Sequence, residues 1–190
     1  MVESAQNRGF GAAANIGILR AMGGGADSFL VLNADVVLDE GCLRSLSESD
    51  GDIVQPLILL AKRPNRINAA GLRPTRLGLA RCMKYMRRRE AAGLSPSPIP
   101  AASGAAMFIR REAIERAGLF DESFFLYLED VDLSLRARRA GMKVVLEPRA
   151  IVWHHYRWGL GLSKIMLLWR NARRIRGRFS SSELTFSPLR

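Results

Sequence analysis

Cysteine is scarce: Cys42 and Cys82 are the only two in 190 residues. They have no metal-site spacing and no histidine beside them. They therefore give neither a disulfide framework nor a thiolate metal site, and read as free thiols of a reducing compartment. The two histidines stand side by side, His154 and His155. The N-terminus lacks a basic segment leading into an apolar stretch, so no signal peptide is read there. No run of 18 apolar residues occurs, so no segment is expected to span a bilayer. Acid is missing from Ile151 to Arg178. Seven basic side chains stand unopposed there: Arg157, Lys164, Arg170, Arg173, Arg174, Arg176 and Arg178.

What is present is a hydrophobic content of 48% against 25% charged. That balance, over this length, supports one domain with a sizeable core and argues against disorder throughout. The net charge of +11 is unevenly spread. Residues 1–60 carry three basic and eight acidic side chains, residues 61–190 carry 26 and 10. A basic surface of that extent attracts phosphates, nucleic acid or an anionic membrane leaflet.

Along the chain, helical spacing runs from Ala12 to Met22 and stops at Gly23-Gly24-Gly25. Phe29-Leu30-Val31-Leu32 reads as a strand buried on both faces. A short helix is expected over 39–47 and a second buried strand over 52–60. Residues 61–100, with Arg and Lys clusters and the Pro-rich 95–100, read as a long mobile loop. A strand is expected over 105–109 and a helix over 111–117, closed by Gly118. A stronger helix over 130–140 is closed by Gly141, and a strand over 143–146 is ended by Pro148. A helix over 162–178 comes last, before a tail that frays. The alternation of strands and helices points to an α/β sheet.

Four segments can carry chemistry. Asn33-Ala34-Asp35 follows an apolar strand, where ligands of open α/β sheets bind, and a carboxylate there suits a hard divalent cation. On its own the tripeptide fits a turn or a helix cap equally. Between Phe120 and Asp132 five carboxylates interleave with four aromatic rings, and Glu129, Asp130 and Asp132 open a helix. Acids in a first turn favour the helix dipole, but aromatic walls also raise a carboxylate pKa as a general base requires. His154 ends a strand-like stretch. Adjacent histidines on an extended segment point to opposite sides, so at most one faces a given site. Asn7-Arg8-Gly9-Phe10-Gly11, with Asn15, lets backbone approach a ligand at a helix start, without the spacing of a Walker or dinucleotide loop.

Taken in order, these stretches resemble glycosyltransferase family 2, and within it the rhamnosyltransferase-like branch. The matching stretches are Asn7 to Gly11 with Asn15, Leu32 to Asp35, Ser103 to Met107 with Arg110-Arg111, Gly118 to Arg136, the positions Pro148, Ala150, Val152 and His154, and Arg170-Asn171. The resemblance implies a GT-A-type, Rossmann-like mixed sheet flanked by helices, a basic C-terminal helix, an inverting mechanism, and Mg²⁺ or Mn²⁺. It implies Asp35 and His154 as metal ligands and Asp130 as catalytic base. Asn7, Gly9, Asn15 and Asn33 match the donor side. Gly104, Asp121, Tyr127 and Glu129 match the acceptor side, where they shape the site. Family members begin with a βαβαβ half that holds the nucleotide. At ~30 residues per unit, roughly 60–90 residues are expected to be missing before Val2, whose strand-like Val2-Glu3 reads as that half's tail.

The expected organisation is a partial transferase domain over 1–160, a basic amphipathic helix over 161–178 and a flexible tail over 179–190. The helix can lie on an anionic leaflet or pack on its own domain with a solvated basic face. The leading expectation is an enzyme transferring a hexose or deoxyhexose from a nucleotide sugar to a saccharide or lipid-linked saccharide acceptor. It would build a cell-surface polysaccharide from the cytoplasm, at the inner face of the plasma membrane. The alternatives are an inactive remnant that binds a glycan or partner, and, last, a nucleic-acid binder motivated by charge alone. No nucleic-acid motif supports that last reading, and none is expected as a partner.

Overall fold

Chain order and burial follow from where the apolar runs fall. The computed structural model describes residues 6–156 and 161–185. It runs α1 (Phe10–Gly23), β1 (Ser28–Leu32), β2 (Val36–Leu38), α2 (Cys42–Glu48), β3 (Ile53–Leu60), β4 (Arg63–Ala69), β5 (Leu72–Pro74), β6 (Ala80–Cys82), β7 (Ser97–Pro98), β8 (Ala106–Arg110), α3 (Arg111–Ala117), α4 (Glu129–Arg139), β9 (Val144–His154), α5 (Leu162–Arg178) and α6 (Ser181–Leu184). The main sheet is mixed and follows the order β1-β8-β3-β9-β2, with β4 added to β3 and β7 to β9. β5 and β6 form a separate hairpin.

β3 shows why the sheet is a middle layer. Ile53, Leu57 and Leu59 face one core with Ile18 of α1, Ile114 of α3 and Leu133 of α4. Val54 and Ile58 face the other, with Cys42 and Leu46 of α2. Alternate residues of a strand point to opposite faces, so a continuous apolar run fits a sheet covered on both sides. A third cluster joins Phe124, Leu128 and Val131 to Ala172, Ile175, Phe179 and Leu184, and docks the C-terminal helices on α4.

The structure departs from the sequence reading in four places. Residues 61–100 hold β4 to β7 rather than a mobile loop. The outer half of β4 is exposed and basic while Ile67, Asn68 and Ala69 are buried, which hides the strand in a charge cluster. β1 buries only Phe29, because it forms an edge paired on one side among the described residues. β9 continues through Pro148, since pairing with β3 jumps from Glu147 to Ile151. Pro148 thus falls in a bulge that needs no ladder N–H. Finally, the segment expected to fray contains α6, whose Ser180 and Glu183 form a reciprocal capping box while Leu184 is buried. Val2-Glu3, Arg157, Leu160 and residues 186–190 lie outside the described residues.

Candidate active site

β1 ends at Leu32 and the chain turns through Asn33-Ala34-Asp35. The Asn33 N–H donates to the Ala105 carbonyl at 3.0 Å, the Val36 N–H to Asn33 at 3.2 Å, and the His155 N–H to the Asp35 carbonyl at 2.8 Å. The half-exposed Asp35 carboxylate lies 3.2 Å from His154 Nε2. His154 is buried, with Nδ1 2.9 Å from Asn68 Oδ1. Burial pulls its pKa below 6.5, against the opposing pull of Asp35. The ring is therefore neutral near pH 7. Assigned from the Asn68 oxygen, Nδ1 carries the hydrogen and Nε2 presents a lone pair towards Asp35.

Two acceptors facing each other at 3.2 Å leave a gap that a cation closes. An octahedral ion with bonds of about 2.1 Å sets neighbouring ligands about 3 Å apart, so the pair fits Mg²⁺ or Mn²⁺. Among the described residues no cluster of three or more His, Cys, Asp or Glu is present. A cation held between Asp35 and His154 would take its other ligands from water or phosphate oxygens, the usual arrangement for Mg²⁺. His155 is exposed, as strand alternation requires.

The second part of the site is the start of α4. Asp130 Oδ2 accepts the Gly104 N–H at 2.8 Å and Oδ1 accepts the Val131 N–H at 2.8 Å. Gly104 and Ala105 are consecutive, so one short backbone stretch grips both Asp130 and the Asn33 turn. Buried Gln55 accepts the Ser103 N–H at 2.6 Å and donates to Ala69 at 3.2 Å. Ser134 accepts the Ala102 N–H and donates to the Asp130 carbonyl. A Cβ on Gly104 would come within 3.2 Å of the Phe10 ring and 3.4 Å of the Asp130 Cβ.

The two adjacent acids differ in support. Burial, then the charge of Asp130, pushes the Glu129 carboxyl up to about 8, and its Oε2 has no hydrogen-bond partner. Burial also raises Asp130, but the Gly104 and Val131 N–H groups act against it. The pair therefore places the proton on Glu129 and the charge on Asp130. Folded Glu129 retains a proton that an unfolded glutamate releases near 4.5. Its contribution is full below about 4.5 and is lost as pH rises through about 8. Glu129→Gln is thus expected to raise Tm by about 5 °C at pH 9 and to leave it unchanged at pH 4, by differential scanning fluorimetry. An equal shift at both pH values would contradict this protonation.

The loop before α4 is strained. Phe125, Tyr127 and Leu128 take φ of 63°, 72° and 70°, a region costly for side chains. One amide holds it: Asn171 Nδ2 donates to the carbonyls of Phe124, Leu126 and Tyr127 at 2.8–2.9 Å. Arg170 and Arg174 add bonds to Phe124 and Ser123. Arg178 bridges Asp121 at 2.8 Å and buried Asp132 at 2.6 Å. Several C-terminal arginines are thus fastened to the loop rather than forming a solvated face.

These contacts show how some expected site residues are held in the fold. Asp121 is a structural group. It caps the turn at Ser123 and pairs with Arg178, so its carboxyl stays at about 2 although burial pushes the other way. Asn15 is buried. It donates to the Phe120 carbonyl and to Glu122, and accepts the Phe120 N–H. Its amide is spent on positioning the loop, not free for a donor. Gly9 (φ 93°) is required by close approach, since a Cβ there would lie 2.1 Å from the Phe125 carbonyl oxygen. Asn7 accepts the Gly9 N–H and is exposed at the same helix start. Tyr127, Cys82 and Tyr85 lie near Tyr156, whose phenol is raised by burial and then by these neighbours. Cys82 in turn is raised by burial and then by Asp130. The Tyr156 ring stands 5.4 Å from that of His154.

The glycosyl transferase family group 2 profile matches residues 28–188, most of the chain. The chain belongs to that family. It is 43% identical over 68 residues to an N-acetylglucosaminyl-diphospho-decaprenol L-rhamnosyltransferase of Mycobacterium tuberculosis, covering 36% of this chain and 22% of that protein. It is 28% identical over 149 residues to a low-salt glycan biosynthesis hexosyltransferase of Haloferax volcanii, covering 75% and 47%. The chain thus spans less than half the length of these relatives. Among solved structures, GalNAc-T7 with UDP, GalNAc and Mn²⁺ superposes with a TM-score of 0.65 at 20% identity, over 83% of this chain and 32% of that one. The mixed sheet is of the GT-A type. Sequence reasoning about this family 2 chain missed Gln55, Asn68 and Ser134 as positioning groups. Only Gln55 left a signal, as the polar residue inside the apolar 53–60.

Proposed function

We propose that this chain carries the metal and base machinery of an inverting sugar transfer. A hexose or deoxyhexose passes from a nucleotide sugar to a saccharide acceptor, in its lipid-linked form, during cell-surface polysaccharide synthesis at the inner face of the membrane. The observation that carries this reading is the Gly104-Ala105 stretch, which fixes Asp130 with one residue and the Asp35 turn with the next.

Asp35 and His154 hold the divalent ion, which when bound neutralises charge on the leaving diphosphate. Asp130 takes the proton of the acceptor hydroxyl. That oxygen's lone pair forms the bond to the anomeric carbon, and the bond from that carbon to the diphosphate oxygen breaks with its electron pair. One displacement inverts the centre. Glu129, already protonated, does not compete as base, and the Asn171 clamp keeps Asp130 aimed. The test is nucleoside diphosphate binding by calorimetry. Affinity is expected to fall at least tenfold with EDTA and equally in Asp35→Asn; metal-independent binding would defeat the assignment.

Membrane contact is supported by α5. Leu162, Ile165, Met166 and Trp169, at helical spacing, are 83%, 39%, 73% and 52% exposed, beside Lys164 and Arg173. No helix among the described residues is long and apolar enough to cross a membrane. Flotation with phosphatidylglycerol vesicles is expected to carry the chain up, and Trp169→Ser with Met166→Ser to abolish this. Equal flotation of the variant would remove α5 from the contact. A second reading, binding without transfer, is favoured by the β1 edge. An apolar cleft of about 540 Å³ lies there between α1 and β1. Donor binding without turnover would select it.

A further inference from the structure

The carboxyl end of β9 is flanked on both sides. Val36 of β2 pairs with His154 on one side, and Leu60 of β3 pairs with it on the other. Asp35 therefore lies on the β2 side, while the tight β3–β4 connection, Ala61 and Lys62 before Arg63, lies on the β3 side. The Ala61 N–H donates to the His154 carbonyl at 3.0 Å, which fixes that connection to the strand end. Neighbouring strands are about 4.8 Å apart, so the two sides are about 10 Å from each other.

On the β3 side is a cavity of about 500 Å³ lined by Lys62, Arg63, Tyr85, His154 and Tyr156. The Tyr156 ring is tilted against His154 at 5.4 Å. Lys62 and Arg63 are exposed, and neither side chain meets a carboxylate or carbonyl among the described residues. Tyr85 lies between Lys84 and Met86, whose φ values are 57° and 61°. This strained turn is held to β4 by the Met86 N–H on the Ile67 carbonyl and by Arg66 on the Met86 carbonyl. Two unpaired cations and two phenols in one concavity recognise a doubly charged oxyanion next to a sugar or apolar chain.

The geometry points to a second diphosphate site in this cavity, which adjoins the metal side at His154, in which Lys62 and Arg63 bind the diphosphate of a prenyl-linked acceptor. This rests on the transferase reading above. The acceptor saccharide then extends past Tyr156 and Cys82 towards Asp130. The acceptor is thereby specified by its diphosphate linkage and not by its sugar alone.

The test uses the whole chain and isothermal titration with four probes. These are farnesyl-diphospho-N-acetylglucosamine, the phosphate-free farnesyl glycoside of the same sugar, inorganic pyrophosphate, and UDP with Mn²⁺. Wild type is expected to bind the diphosphate lipid at least about tenfold more tightly than the glycoside or pyrophosphate. Lys62→Ala with Arg63→Ala is expected to erase that preference while keeping UDP with Mn²⁺ within about twofold, with Tm verifying the fold. Asp35→Asn is expected to do the reverse. The proposal is overturned if the double variant keeps the preference, or loses UDP instead. It is also overturned if pyrophosphate binds wild type as tightly as the lipid, since the site would then serve free diphosphate. If UDP binds no variant and the lipid preference still depends on Lys62 and Arg63, the diphosphate site stands and the transferase reading falls.

Discussion

Asp130→Asn is expected to lower the transfer rate by about 10²–10⁴-fold while leaving nucleoside diphosphate binding within about twofold of wild type. Asparagine keeps the shape of the side chain and one oxygen to accept from the Gly104 or Val131 N–H. It cannot take a proton from an attacking hydroxyl. Glu129 does not replace it: burial still raises that carboxyl once the Asp130 charge is gone, and its Oε2 has no hydrogen-bond partner. The split matters more than the size of the loss. A base acts only on the chemical step, so kcat should fall and donor affinity should not. Loss of nucleotide binding in a calorimetric titration would show that Asp130 supports the donor pocket and is no base. A rate within tenfold of wild type would exclude the role altogether.

Asn171→Ala is expected to cost on the order of 3 kcal/mol and about 10 °C in Tm. Asn171 is fully buried, and the change strands the Leu126 and Tyr127 carbonyls, while Phe124 keeps its bond from Arg170, in a loop whose residues already occupy unfavourable φ. Each stranded acceptor costs about 1–3 kcal/mol, and relaxation of the loop recovers part of it. Asn171→Asp separates the amide's donors from its volume. It fills the same space, offers no hydrogen, and places a carboxylate against three oxygens, so it should be at least as damaging. Where these variants remain folded, transfer should fall with them, because the loop runs directly into Glu129 and Asp130. A Tm within 2 °C of wild type, by scanning calorimetry, would mean the loop holds its shape unaided.

Much of the sheet was legible because its central strands are apolar without interruption, as 53–60 and 105–109 are. The helices over 111–117 and 130–140 were legible from their glycine stops. The region 61–100 was not, because charge dominates the exposed half of β4 and the rest is short strands around turns. Pro148 misled for a related reason. A proline ends a strand in a regular ladder, but here it occupies a bulge. At the site, the acids and His154 stood out by residue type. Two of the groups that orient them did not: Asn68 and Ser134 are ordinary polar residues until folding places them beside their partners, whereas Asn171 was singled out with Arg170 and only its clamping role was hidden. Asn15 stood out by its place in the motif, and in the fold its amide positions the loop through Phe120 and Glu122.

The Asn171 clamp also carries a consequence for synthesis. The carbonyls it holds lie 44 to 47 residues earlier in the chain. A polypeptide leaving the ribosome exposes Phe124 to Leu128 well before Asn171 emerges. The sheet can form in that interval, but the positive-φ residues Phe125, Tyr127 and Leu128 then have only the α1 contacts at Phe125, Phe120 and Glu122 and lack the amide that holds the Leu126 and Tyr127 carbonyls. The loop leading into Glu129 and Asp130 is set by a helix made late in the chain, so a nascent chain halted before α5 carries these acids without the clamp that orders their loop.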